Sequence, residues 1–219
     1  MHTNFVHTPL PKIQLVRHDL PTGRVYVTPE GNKYPSVTRV LGFKPKPFIE
    51  EWKARVGEGE AKAVSARAAA RGTAIHAYTE DYLNNKPVSV TMFDHTMWKS
   101  FKRVLSDINN IRLLEGTLYS DKLELAGTTD IVADYKNVLS VIDVKTSLRE
   151  KCEADIFDYF LQATAYACMV YERYGLAIKQ IVILIAVDDS APLVFVKNVG
   201  PYLEPLFDVI RQFKVAQKN

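Results

Sequence analysis

Apolar and polar positions along the chain change period three times, and each change marks a different kind of structure. Up to about residue 35 the pattern is irregular: Pro9, Pro11, Pro21, Pro29 and Pro35 interrupt short β-like pieces such as Arg24–Thr28, which suits a short hairpin or an arm. Ser36 then stands as a helix N-cap before Val37, with Gly42 as the stop. From Phe48 to Asn84 the chain is rich in Ala, Glu, Lys and Arg, which predicts two or three consecutive helices broken near Gly57–Gly59 and near Gly72. The last of these runs from about Thr73 to Leu83, with Ile75, Tyr78 and Tyr82 turned to the core. A further amphipathic helix is predicted from His95 to Ile108, its stripe being Trp98, Phe101, Val104 and Leu105.

From Ile111 the period becomes that of strands. Leu113–Tyr119 with Leu123–Leu125 predicts a first strand or bent pair, followed by a hairpin over Gly127–Ser147. Ile156–Tyr174 is a long apolar helix that Gly175 ends. Gln180–Val187 is a continuous apolar run of the kind buried on both faces, Pro192–Val199 is a last strand, and Pro201 opens a C-terminal helix. The order is helices, then β–β–β–α–β–β–α. It predicts a three-layer α/β or α+β domain, a mixed central β-sheet flanked by helices, with a helical N-terminal extension. Residues 1–110 form the arm and helical region and 111–219 the core, in one compact domain overall.

The predicted hairpin carries chemistry. If Asp134 faces Leu139 across the turn, paired positions sum to 273 and Asp130 falls opposite Asp143. Lys145 shares the face of Asp143. Two facing carboxylates repel, and a divalent cation between them removes the repulsion. The face therefore suits a metal site for phosphodiester chemistry. A one-residue change in the turn would put the two acids on opposite faces. His76 and Glu80 lie four apart on the upstream helix and share a face, where Glu80 is expected to point to solvent.

Composition narrows the class. The chain has 219 residues, 47% hydrophobic and 24% charged, ordinary values for one globular core. No apolar run approaches the roughly 18 residues a membrane span needs, and the first residues lack a signal pattern. Cys152 and Cys168 are the only cysteines, which excludes a disulfide framework and sets a reducing, cytoplasmic location as the expectation. The net charge is +3, unevenly spread: residues 1–71 hold 12 lysines and arginines against 6 acids, and the remainder 16 against 19. A basic first third suits a polyanion partner, although a solvated surface explains it as well.

The set Gly127–Asp130, Ile142–Ser147 and Gln162–Tyr166, preceded by Arg71, Gly72 and His76, resembles the PD-(D/E)XK nucleases, and within them the RecB-like exonuclease branch. Tyr34–Thr38 is also similar to phage exonucleases and to the mitochondrial genome maintenance exonuclease. Thr129 departs from the branch, which more often has an apolar residue there, and two cysteines cannot supply the four thiolates of its iron–sulfur members. The resemblance implies a restriction-endonuclease-like core and metal-dependent hydrolysis of DNA, on single strands and from an end. It implies one or two Mg²⁺ or Mn²⁺ ions on Asp130, Asp143 and the Val144 carbonyl, with His76 completing a second position. Lys145 would hold or activate the attacking water, and Gln162, Tyr166, Arg71 and Ser147 would meet the DNA; Arg71 stays open between phosphate contact and ordinary surface charge. A phage-encoded enzyme of replication, repair or recombination fits. The alternatives are a structure-specific endonuclease of the same fold and a catalytically silent nucleic-acid-binding protein.

Overall fold

The structure, a computed structural model, describes residues 4–45 and 47–217, without the Phe48 side chain. Its elements are β1 (Val16–Leu20), β2 (Gly23–Val27), β3 (Lys33–Pro35), α1 (Val37–Leu41), α2 (Pro47–Val56), α3 (Glu58–Leu83) and α4 (His95–Leu105), followed by β4 (Ile108–Ser120), β5 (Leu125–Tyr135), β6 (Val138–Ser147), α5 (Phe157–Tyr174), β7 (Gln180–Val187), β8 (Leu193–Asn198) and α6 (Gly200–Ala216). Strands β4 to β8 form one five-stranded sheet in sequence order. All neighbours are antiparallel except β6 and β7, which are parallel and joined through α5. A parallel pair needs such a crossover, and the 18 residues of α5 supply it.

Alternation along the strands feeds two cores. Ile131, Ile142, Val144, Val182 and Leu184 face α3 and α4, where Ile75, Trp98, Phe101 and Leu105 meet them. Val132, Val141, Ile181, Ile183 and Ile185 face the other way, onto α1, α5 and α6. All of β7 except Gln180 is buried, as a continuous apolar run requires. The architecture is therefore the mixed sheet between helices that the pattern predicts. The β5–β6 turn is tight: Lys136 and Asn137 both sit at positive φ, +50° and +65°, the backbone of a two-residue hairpin loop. That turn pairs Asp134 with Leu139 and runs the ladder to Ile131 with Ile142. Asp130 and Asp143 are the next step.

Two expectations are corrected. The chain does break at Gly57, φ +85°, but Gly72 does not end a helix; α3 continues through it for 26 residues. A single mid-helix glycine costs only about 1 kcal/mol, and the flanking alanines and the buried Ile75, Tyr78 and Leu83 offset it. The proline-rich start is not a lone hairpin. It forms a three-stranded antiparallel sheet, β1–β2–β3, whose Tyr26 packs on Tyr119 and Ala126. Ahead of it, residues 5–13 run beside β4: Thr8 N donates to the Ile111 carbonyl, Leu10 N to Arg112, and Ile111 N to the Val6 carbonyl. Phe5 is held at both its backbone groups by the Asn85 side chain. Among the described residues no helix is long and apolar enough to cross a membrane.

Candidate active site

Strands β5 and β6 separate beyond Ile131 and Ile142, and the gap leaves Asp130 and Asp143 without a ladder partner between them. Asp130 Oδ2 accepts a hydrogen bond from the Val144 N–H at 2.7 Å, which fixes its carboxylate. Asp143 is 2% exposed, and neither of its oxygens has a hydrogen bond of good geometry among the described residues. The Lys145 Nζ lies 2.5 Å from its Oδ2. A buried carboxylate this poorly satisfied is costly without a cation. Burial and the charge of Asp143 push Asp130 up to about 7. Burial by itself would lower the Lys145 ammonium, but the charges of Asp143 and Asp130 outweigh it and hold the group above its ordinary value.

Helix α3 lays its Gly72–His76 turn across β6. His76 Nδ1 stands 3.3 Å from Glu115 Oε1 and 3.8 Å from Asp130 Oδ1. Burial would lower the imidazolium; the Glu115 hydrogen bond and the Asp130 charge more than offset this and raise it. The donor atoms of His76, Glu115 and Asp130 all lie within 4.8 Å of one another. They edge a cavity of about 10 Å³, also lined by Glu80, Ile131 and Val144, room for one ion or water. Two carboxylates and one imidazole, with the Asp143 carboxylate close to Asp130, make a donor set that Mg²⁺ or Mn²⁺ takes. The residues therefore fit the expected metal, with His76, Glu115 and Asp130 around it and Asp143 behind.

The remaining sequence-derived residues are placed as follows. Tyr166 is buried, its ring laid on the bare backbone of Gly127: a Cβ there would stand 2.7 Å from its hydroxyl oxygen. Burial, then the charges of Asp130 and Asp143, push that hydroxyl well above its ordinary value. Gln162 lies one turn earlier on the same face of α5, half-buried. Ser147 uses its hydroxyl in the turn after β6, donating to the Arg149 carbonyl at 2.6 Å. Arg71 is half-buried with its Nε lacking a hydrogen-bond partner among the described residues. The Val144 N–H, rather than its carbonyl, is the group seen to touch Asp130.

Two residues at the site escape sequence reasoning. Glu115 is one. The β4–β5 ladder pairs Leu114 with Ile131 and Gly116 with Thr129, which leaves Glu115 opposite Asp130 with φ +46°. An acid before a glycine in an apolar strand was the signal. The register shift between Asn109 and Leu113 hides it from pattern counting. Tyr159 is the other: its ring centre lies 5.1 Å from Lys145 Nζ. It stands three residues before Gln162 and seven before Tyr166, so one more turn on their helical face finds it.

No protein-family model matches the chain. It is 31% identical over 177 residues to mitochondrial genome maintenance exonuclease 1 of Homo sapiens, covering 74% of this chain and 51% of that protein. The Xenopus tropicalis and Mus musculus proteins of the same name are 30% and 29% identical, covering 72% and 74% of this chain. The chain thus spans about half the length of the curated relatives it matches. Among solved structures, a candidate exonuclease from Eubacterium rectale overlays 68% of both chains with 12% identity and a TM-score of 0.43, a likeness too slight to carry weight. These sequence relatives, with the acid–acid–lysine hairpin on a mixed sheet, support a nuclease of the RecB-like, PD-(D/E)XK type.

Proposed function

We propose that the chain is a metal-dependent DNA exonuclease that hydrolyses phosphodiester bonds of single strands from an end. One observation carries this reading: Asp143 is buried against the Lys145 ammonium, with no hydrogen bond of good geometry to either oxygen among the described residues, and it lies next to the His76, Glu115 and Asp130 donors. The names of the relatives, all exonucleases, support the reaction class.

A Mg²⁺ or Mn²⁺ ion on His76, Glu115, Asp130 and Asp143 would polarise the phosphate and supply an activated water. The chain's own groups do the rest. Lys145 keeps its charge because Asp143 lies against it, and so presents a fixed ammonium to a phosphate oxygen or to the attacking water. Tyr159 holds that ammonium in place from its ring face. Tyr166 closes the floor behind the acids and keeps bulk water from them, and Gln162 offers an amide at the rim. Arg71, five residues before His76 on α3 and with its Nε lacking a hydrogen-bond partner among the described residues, would meet a second phosphate.

The test is incubation of the purified chain with end-labelled linear single strands in Mn²⁺, in Mg²⁺ and in EDTA, beside a circular single strand. Shortening of the linear strand alone, only with metal, is the expected result. Cutting of circles would replace the exonuclease reading with an endonuclease of the same fold. No cleavage, together with no heat of Mn²⁺ binding by calorimetry, would overturn both.

A further inference from the structure

A cavity of about 580 Å³ opens between the β1–β2 turn, α1 and the end of α6, with Thr22, Gly23, Thr38, Arg39, Phe213 and Gln217 in its wall. Arg39 is built into it. Gly23 has φ +108°, a backbone glycine takes readily, and its bare backbone lies against the stem: a Cβ there would come within 2.8 Å of Arg39 Cδ. The guanidinium carbon stands 5.8 Å from the Phe213 ring centre. The side chain is thereby held between bare backbone and an aromatic face. Yet among the described residues no carboxylate pairs with it. Asp19 lines the same cavity, but its two oxygens are taken by Arg17 and Arg24. A half-buried guanidinium held in one place without an anion has already lost the freedom that binding an anion would cost it.

The position says which anion. Ser36, in the same cavity wall, bridges to Ala126 of β5. Ala126 precedes Asp130 by four residues, roughly 14 Å at 3.4 Å per residue. Alternation puts Ala126, Thr128 and Asp130 on one face of β5, and the Tyr26 hydroxyl meets Thr128 Oγ1 there at 3.5 Å. Through Ser36 the Arg39 cavity therefore adjoins the Ala126 end of the strand that carries Asp130, a few nucleotides from the acid pair. We propose that the cavity around Arg39 is a phosphate-binding subsite for a DNA strand whose scissile bond lies at Asp130 and Asp143, an inference that rests on the nuclease reading. Arg39 takes the phosphate through two parallel N–H groups, and the Thr22 and Thr38 hydroxyls lie at its side. This subsite also gives the Ser36–Arg39 turn, outside the metal centre, a role in the same reaction.

The experiment reads binding without cleavage. Short labelled oligothymidylates with a 5′-phosphate or a 5′-hydroxyl are titrated in EDTA and followed by fluorescence anisotropy at several salt concentrations. Arg39→Met keeps the stem and removes the charge. It is expected to weaken binding about tenfold and to reduce the salt slope by roughly 0.7, the share of one phosphate on a single strand. Arg39→Lys recovers part of the affinity. Loss with both strands assigns a backbone phosphate, loss with the 5′-phosphorylated strand alone assigns the terminal one, and either supports the subsite. Thr38→Glu, on the exposed rim, sets a carboxylate against the same phosphate and serves if Arg39→Met fails to fold. Unchanged affinity and slope in the folded variants would overturn the subsite. A chain that never cleaves DNA but loses strand affinity through Arg39→Met keeps the subsite and overturns the nuclease reading.

Discussion

Replacing Asp130 by Asn should make the metal-free chain more stable at pH 8, and by less than half as much at pH 5. Asp130 is held near 7 in the fold against 3.8 as an ordinary carboxyl, by burial first and the Asp143 charge second. Between those values the folded chain keeps a proton that the unfolded chain releases. Stability therefore falls as pH rises from about 4 to about 7, and the cost is complete above 7. Three units correspond to about 4 kcal/mol. His76, raised in the fold, adds a loss of the same sign: its stabilisation is present below its ordinary value and disappears as pH passes the raised one. Asn keeps an oxygen for the Val144 N–H, so the substitution removes the charge and little else. Urea unfolding in EDTA at pH 5 and pH 8 measures both chains. Mn²⁺ at about a hundred times its dissociation constant should restore about 2.7 kcal/mol to the native chain at pH 8 and much less to Asp130→Asn. Equal stability of the native chain at the two pH values, with no gain from Asn at pH 8, would refute the buried-pair account.

Lys145→Met leaves the buried Asp143 without its ammonium partner and should destabilise the metal-free chain in urea, while with Mn²⁺ bound the cleavage rate falls by at least about a hundredfold, as loss of one electrostatic group at the reacting phosphate does; single-turnover kinetics on an end-labelled strand decides it. Glu115→Gln removes a donor charge from the metal cluster and should weaken Mn²⁺ in calorimetry, with activity recovering as Mn²⁺ is raised. Gly127→Ala drives a methyl into the Tyr166 hydroxyl and should destabilise the fold by about 1–3 kcal/mol in urea.

What was readable in the chain was local. The hairpin register followed from alternation plus a short polar turn, and both acids and Lys145 followed from the register. Helix α5 was readable because its apolar run ends at Gly175, which takes φ +69°. Glu115 was not readable, since the irregularity in β4 breaks the period on which counting depends. The extra length of α3 was hidden because a single glycine is a weak helix breaker between helix-forming alanines and a following turn anchored by the buried Ile75. The N-terminal sheet was hidden by its prolines. Tertiary contacts with Tyr119 and Ala126, distant in the chain, are what hold it in strand form.

Those distant contacts also bear on how the molecule is made. The segment that pairs alongside β4 is synthesised early, and its partners follow 103 residues later, the separation between Val6 and Asn109. At ribosomal rates of about 5–20 residues per second it waits several seconds with nothing to dock against. Docking of that segment covers the β4 margin of the five-stranded sheet, which would otherwise lie open to other chains. Shortening the chain at this end should leave the catalytic groups in place and turn newly made protein toward aggregation.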